Sequence, residues 1–281
     1  MHAELQFLFE GRQGSTAFRT LRQDPPWKVV RGFQLPTGEC LAHLNNVSGG
    51  IFGGDVLRMD CRVEPGAQAQ LTTTGATRLY FPRAEAREAV LSSQFHLGEG
   101  ALLEYVPDAL IPFEDARAVQ HTSFSLEQGA TLFAWDTIAP GRAASGERFR
   151  YERLRLINEV HVGGMPVLND RLLLEPRRWA MNSPGRYGFA SSYLVTFLAV
   201  QAGASKIRLR ALEAQLNELL AEHSDPQAGE MWGATALPAH GVMVRGAACS
   251  SLHLPALLQK LWTICKQDLM GRAVTPPRKT Y

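Results

Sequence analysis

The sequence predicts a mainly β protein: an irregular stack of β-sheets, solenoid-like, with two C-terminal α-helices, in one domain spanning residues 1–281. Three observations carry this. Through residues 1–175 apolar positions alternate with polar ones, the period of half-buried strands. A strand–turn–strand unit occurs three times, its turn ending at Gly66, Gly100 and Gly129, each followed by Ala; such self-similarity marks a repeat architecture. Residues 176–281 then mix strands with apolar residues at helical spacing.

The elements follow in order. In Val56 to Val63, Leu57, Met59, Cys61 and Val63 alternate with Arg58, Asp60 and Arg62. Glu64-Pro65-Gly66 reads as a turn and Ala67 to Thr72 alternates again, so the pair is expected to be a hairpin. Leu91 to Leu97 with Ala101 to Tyr105, and Thr122 to Leu126 with Ala130 to Trp135, repeat it. A fourth hairpin is expected from Ile157 to Leu174, turning at Gly163-Gly164. From Ser205 to His223, Ile207, Ala211, Leu212, Leu216, Leu219 and Leu220 form a helical stripe. Leu237 to Ala247 reads as a strand. A second helix is expected from Leu254 to Met270, with Pro255 in its first turn and Gly271 past its end. The tail from Thr275 to Tyr281 contains Pro276-Pro277 and cannot be helix interior.

Composition narrows the function. A net charge of +2 is too small for a nucleic-acid platform or a polybasic membrane surface. No apolar run approaches the roughly 18 residues of a membrane span, and no signal peptide is visible at the start. Cys40, Cys61, Cys249 and Cys265 are far apart, so reduced thiols in a cytoplasmic protein are expected, with Cys61 and Cys265 in the core.

The most informative stretch is Leu44-Asn-Asn-Val-Ser-Gly-Gly-Ile-Phe-Gly-Gly-Asp55. It is not a phosphate cradle. A P-loop ends in Gly-Lys-Ser/Thr and opens a helix, whereas this loop lacks the lysine and feeds a strand. Gly49, Gly50, Gly53 and Gly54 instead suit a tight β-connection. A nucleophile elbow is missing, and the eight histidines are scattered singly. Glu104, Asp108, Glu114 and Asp115 surround Val106-Pro107 and either line a cavity or cap turns. A β-scaffold hydrolase using a carboxylate pair is the alternative function.

These motifs resemble the urease accessory protein UreD (UreH) family. Leu44 to Asp55 is similar to its glycine-rich signature, and Leu71-Thr-Thr-Thr-Gly-Ala-Thr-Arg-Leu-Tyr80 to its threonine-rich motif. Leu103-Glu-Tyr-Val-Pro-Asp108, Gly141-Arg142-Ala-Ala-Ser-Gly-Glu-Arg-Phe149 and the close at Pro277 to Tyr281 continue the match in order. The resemblance implies a non-catalytic scaffold for urease maturation. Its partners would be apo-urease, UreF and the GTPase UreG, in a heteromeric complex arranged as a dimer of heterodimers. Nickel would pass transiently through an internal tunnel, with no tightly bound cofactor. A conduit must release its ion, so carboxylates, hydroxyls and water are suitable walls. In the matched motifs and the strand ends the candidates are Asp55, Thr73, Glu104, Asp136, Glu147, Asp170 and Glu175. Asp55 has an equal claim to fixing its own turn. For Asp136, Glu147, Asp170 and Glu175 the competing role is a strand-end ion pair. Trp232 and the tail are candidate partner anchors.

Overall fold

The computed structural model describes residues 1–12, 14–82, 87–178 and 193–277. Its strands are β1 (His2–Arg12), β2 (Ser15–Gln23), β3 (Trp27–Lys28), β4 (Gly32–Gln34), β5 (Cys40–Asn46), β6 (Ile51–Gly53), β7 (Val56–Val63), β8 (Gln68–Thr73), β9 (Thr77–Pro82) and β10 (Ala89–Leu97). They continue with β11 (Leu102–Tyr105), β12 (Leu110–Pro112), β13 (Arg117–Leu126), β14 (Thr131–Ile138), β15 (Arg153–Val162), β16 (Met165–Leu174), β17 (Tyr193–Gln201), β18 (Met231–Ala236) and β19 (Gly241–Ala248). The helices are α1 (Lys206–Ala221) and α2 (Leu254–Met270). One sheet runs β16-β15-β13-β10-β7-β1-β2; the other runs β18-β19-β17-β14-β11-β8-β5-β3, with β4, β6, β9 and β12 attached. The tail beyond Pro277, including the last part of the sequence motif and Tyr281, lies outside the described residues.

Three of the expected hairpins are not hairpins. β7 and β8, β10 and β11, and β13 and β14 each send their two strands to opposite sheets. Hydrogen bonds run instead between copies: β7, β10, β13 and β15 pair in parallel, as do β5, β8, β11 and β14. The turns stack too, Gly66 N–H donating to Glu99 O at 2.9 Å and Gly100 N–H to Gln128 O at 3.0 Å. A short link with a left-handed glycine, such as Gly66 at φ 69°, reverses the chain either way. Folding over wins because it buries both inner faces against each other: Met59, Cys61 and Val63 share one core with Ala69, Leu71, Leu103, Phe124 and Leu132. Only the fourth unit, β15–β16, is an antiparallel hairpin, turning at Gly163-Gly164 as expected.

The second sheet is covered on both faces. Leu209, Leu212, Leu216 and Leu220 of α1 and Leu257, Leu261, Trp262 and Cys265 of α2 pack on Phe133, Phe197, Val242 and Val244. Ile207, expected in the helical stripe, is 85% exposed, because the buried row runs through Leu209 instead. α2 ends at Gly271, whose φ of 65° lets its N–H cap Gln267 O. The strand expected at Leu237 to Ala247 begins at Gly241 as β19, and a turn with His240 at φ 68° joins it to its antiparallel partner β18. Asn217 on α1 covers the outer edge of β18: its side-chain amide donates to Ala234 O at 3.0 Å and accepts from Ala234 N–H at 2.8 Å. That blunts an edge which could otherwise recruit another strand. The first sheet keeps an open outer face, with Arg58 and Arg62 exposed while Leu57, Met59, Cys61 and Val63 are buried. Among the described residues no helix is long and apolar enough to cross a membrane.

Candidate functional site

The inner faces of the two sheets do not stay apolar along their length. On β13 the inward positions run Leu126, Phe124, Thr122, Gln120; on β14, Leu132, Ala134, Asp136; on β15, Val160, Asn158. Each strand therefore carries a polar stretch at the same level, with Ala118, Ile138 and Leu156 buried and apolar again beyond it, and at that level the sheets enclose a cavity of about 230 Å³. Asn46, Thr73, Tyr105, Asp108, Gln120 and Asp136 supply its polar lining. Its exposed residues Gly49, Thr74, Gly75 and Arg78 mark the mouth. A small void of about 10 Å³ continues past Asp136, lined by Tyr105, Thr122, Asn158 and Thr196.

Asp136 is held by neutral amides. Its Oδ1 accepts from Gln120 Nε2 at 3.1 Å and its Oδ2 from Asn158 Nδ2 at 3.0 Å. Burial pushes its carboxyl above the ordinary aspartate range; the Asp170 charge adds to this and the two amide bonds oppose it. Asp108 is fixed by Thr73: Thr73 Oγ1 donates to Asp108 Oδ2 at 2.9 Å and accepts from Asp108 N–H at 2.8 Å. Burial, with the nearby Asp136 charge, keeps the Tyr105 phenol protonated. The donor set is carboxylate, hydroxyl and amide oxygen, the chemistry of a weak, exchangeable cation site. Among the described residues no three His, Cys, Asp or Glu side chains stand together as a metal cage.

The glycine loop forms one wall. Gly49 and Gly54 take positive φ, 77° and 89°, and Gly50 and Gly53 are places of close approach. A Cβ on Gly50 would stand 2.1 Å from the Tyr80 ring, and one on Gly53 2.6 Å from Arg87 O. Asp55 is buried behind this loop. Its Oδ2 accepts from Phe52 N–H at 2.9 Å and its Oδ1 from the Met1 ammonium at 2.8 Å.

Of the residues that stand out in the sequence, the cavity brings together Thr73 and Asp136, with Gly49 and Gly50 beside them. The others stand elsewhere. Glu104 is buried against Lys266, Trp262 and Gln70. Glu147 accepts from Arg142 in its own loop and from Glu114 N–H in the turn between β12 and β13. Asp170 is ion-paired to Arg245 and Glu175 to Arg178. Of the acidic group around Val106-Pro107, only Asp108 lines the cavity; Glu114 pairs with Arg150 and Asp115 with Arg177. Gln120 and Asn158 lie in no matched motif, and Tyr105 lies in one without standing out as a site residue. Their signal is present as polar residues at inward positions of otherwise apolar strand faces.

The whole chain, residues 1–281, matches the family model described as UreD urease accessory protein. A protein of Herpetosiphon aurantiacus named urease accessory protein UreD is 38% identical over 283 residues, covering 100% of this chain and 97% of its own. A protein of Pseudomonas putida with the same name is 32% identical over 276 residues, covering 98% and 92%. One from Staphylococcus aureus is 33% identical over 191 residues, covering 68% and 67%.

Proposed function

We propose, since the chain belongs to the UreD family of urease accessory proteins, that it serves urease maturation as a non-catalytic scaffold whose inter-sheet cavity passes nickel toward apo-urease. The role in urease maturation comes with the family; the route is our reading. One observation supports that reading above all. Asp136 and Asp108 face a roomy polar cavity supported by hydroxyls and amides, and among the described residues no lysine or arginine side chain is bonded to Asp136. A hydrated divalent ion finds oxygen ligands there, and among the described residues lining the cavity there is no histidine or thiolate to trap it. In this proposal the scaffold works with UreF and the GTPase UreG in a heteromeric cytoplasmic complex, and nickel is cargo.

The test is urease activation in cells carrying Asp136→Asn. The expected result is an intact accessory complex with urease that holds less nickel and less activity. Full activation by Asp136→Asn and by Asp136→Ala would refute the route. The second reading, a hydrolase, draws on the same two carboxylates in one cavity. It predicts turnover by the isolated chain that either substitution abolishes.

A further inference from the structure

The face beside the cavity mouth carries a row of interlocked aromatic rings. Phe52 stacks on Tyr80 with centroids 4.9 Å apart, Tyr80 meets Phe113 edge-on at 4.7 Å, and Phe81 packs edge-on to Phe52 at 6.1 Å. The Arg142 guanidinium lies over the Phe113 ring at 4.8 Å. Phe81 is 53% exposed and the Arg142 side chain 48%. These residues come from separate segments, yet each is fixed. Tyr80 rests on the bare backbone of Gly50, and Arg142 is clamped by two bonds to buried Glu147. The surface is therefore preorganised, and ordering it on binding costs little.

Charge decides what it fits. Arg142 and exposed Arg78 flank the row. The carboxylates beside it are already engaged, Glu147 by Arg142 and Glu114 by Arg150. Phe52 and Tyr80 stack on each other, Arg142 lies over the Phe113 ring, and Phe81 is the one ring of the four that is exposed. A nucleic acid would find a single exposed ring here rather than a row of stacking platforms. An apolar protein side chain set between carboxylates needs an aromatic pocket with flanking guanidiniums, the composition of an interface hot spot. Arg78 belongs both to this face and to the lining of the cavity mouth.

We infer that Phe52, Tyr80, Phe81 and Phe113, flanked by Arg78 and Arg142, form the docking surface for an acidic, apolar-tipped protein segment that covers the cavity mouth. This rests on the reading of the cavity as a metal path, since a partner seated here receives or delivers the ion. The probe is apo-urease, captured by the full chain co-expressed with its accessory proteins. Phe81→Asp and Arg78→Glu are each expected to weaken capture roughly tenfold or more. Met165→Asp, at a hairpin tip with 70% exposure, serves as the control and leaves capture unchanged. Arg78→Glu changes a surface charge without touching the core, so it decides the matter should Phe81→Asp melt early. Undiminished capture by Arg78→Glu overturns the docking surface and leaves the scaffold standing. Failure of the wild-type chain to capture apo-urease overturns both.

Discussion

Glu104 and Asp136 lie on adjacent strands of one sheet, β11 and β14, but on opposite faces, and their surroundings differ in kind. Glu104 faces α2. Lys266 Nζ stands 2.7 Å from it and 2.9 Å from Glu39, and Arg272 stands 2.8 Å from Glu39; Glu39, Glu104 and Lys266 side chains are fully buried. Trp262 Nε1 and Gln70 Nε2 also donate to Glu104. Two carboxylates meet two cations, and the group is closed. Asp136 faces the other sheet, meets amides, and borders open volume. A buried carboxylate matched by a cation is electrically complete. One matched by neutral dipoles retains its demand for a positive charge, which a proton or a metal ion can meet.

Lys266→Met offers the severest way to break this comparison. It strands Glu39 and Glu104 without their shared cation, and a loss of about 3–5 kcal/mol is expected. Thermal melting reads it, and adding Glu104→Gln recovers part. A Lys266→Met chain that melts like wild type would show that the cluster is not structural. Gly50→Ala comes next. Its new methyl meets Tyr80, an overpacking of about 1–3 kcal/mol, and urease activation falls with it because Gly50 walls the cavity.

Glu104 and Asp136 both lie above the ordinary carboxyl range because burial outweighs their partners, and the opposite mark on pH dependence comes from Glu39 beside Lys266. Burial opposes ionised Glu39, but the Thr37 hydroxyl and Lys266 outweigh it and hold its carboxyl below the ordinary range. Its contribution is therefore present above the ordinary glutamate pKa of about 4.3 and is lost as pH falls through the lower folded value. For Asp136 the folded pKa is raised, so its contribution is full below the ordinary value of about 3.9 and fades as pH rises through the raised one. Denaturation followed across that range should show Glu39→Gln flattening the acid limb and Asp136→Asn removing a loss at higher pH. The readout is the sign of each slope, which follows from the direction of the shift. Slopes of the same sign would erase the contrast. The smallest effect belongs to Thr73→Val. It removes the hydroxyl that fixes Asp108, for about 1 kcal/mol or less, and chemical denaturation beside an activation assay separates the structural loss from the functional one.

Particular residues show how far the sequence could be read. Leu57, Met59, Cys61 and Val63 announced a strand and its buried face, and all four are buried. Pro255 and Gly271 bounded α2, which runs from Leu254 to Met270. The Gly66, Gly100 and Gly129 turns announced the repeat but not its hydrogen bonding, since an alternating strand names its face and not its partner. β17 escapes the period-two reading because Val195, Phe197, Leu198, Ala199 and Val200 are all buried and a continuous apolar run shows no alternation, and β18 escapes it because none of its residues is fully buried. The site was half legible. Thr73 and Asp136 stood out as polar residues in suitable motifs, while Gln120, Asn158 and Tyr105 gain meaning only when their strands are stacked.

By itself the sequence determined the period of each segment, the helix ends, the absence of a phosphate cradle at Gly49 to Asp55, and the family. These are local or motif-level properties, fixed by which side chains neighbour one another along the chain. The tertiary structure alone decided that β7 and β8 fold into opposite sheets and that Glu104 meets Lys266 while Asp136 meets amides. The electrostatic state of a buried carboxylate depends on what the fold brings within about 4 Å of it. For Glu104 that is a lysine on the last helix, and for Asp136 it is open space beside the glycine loop.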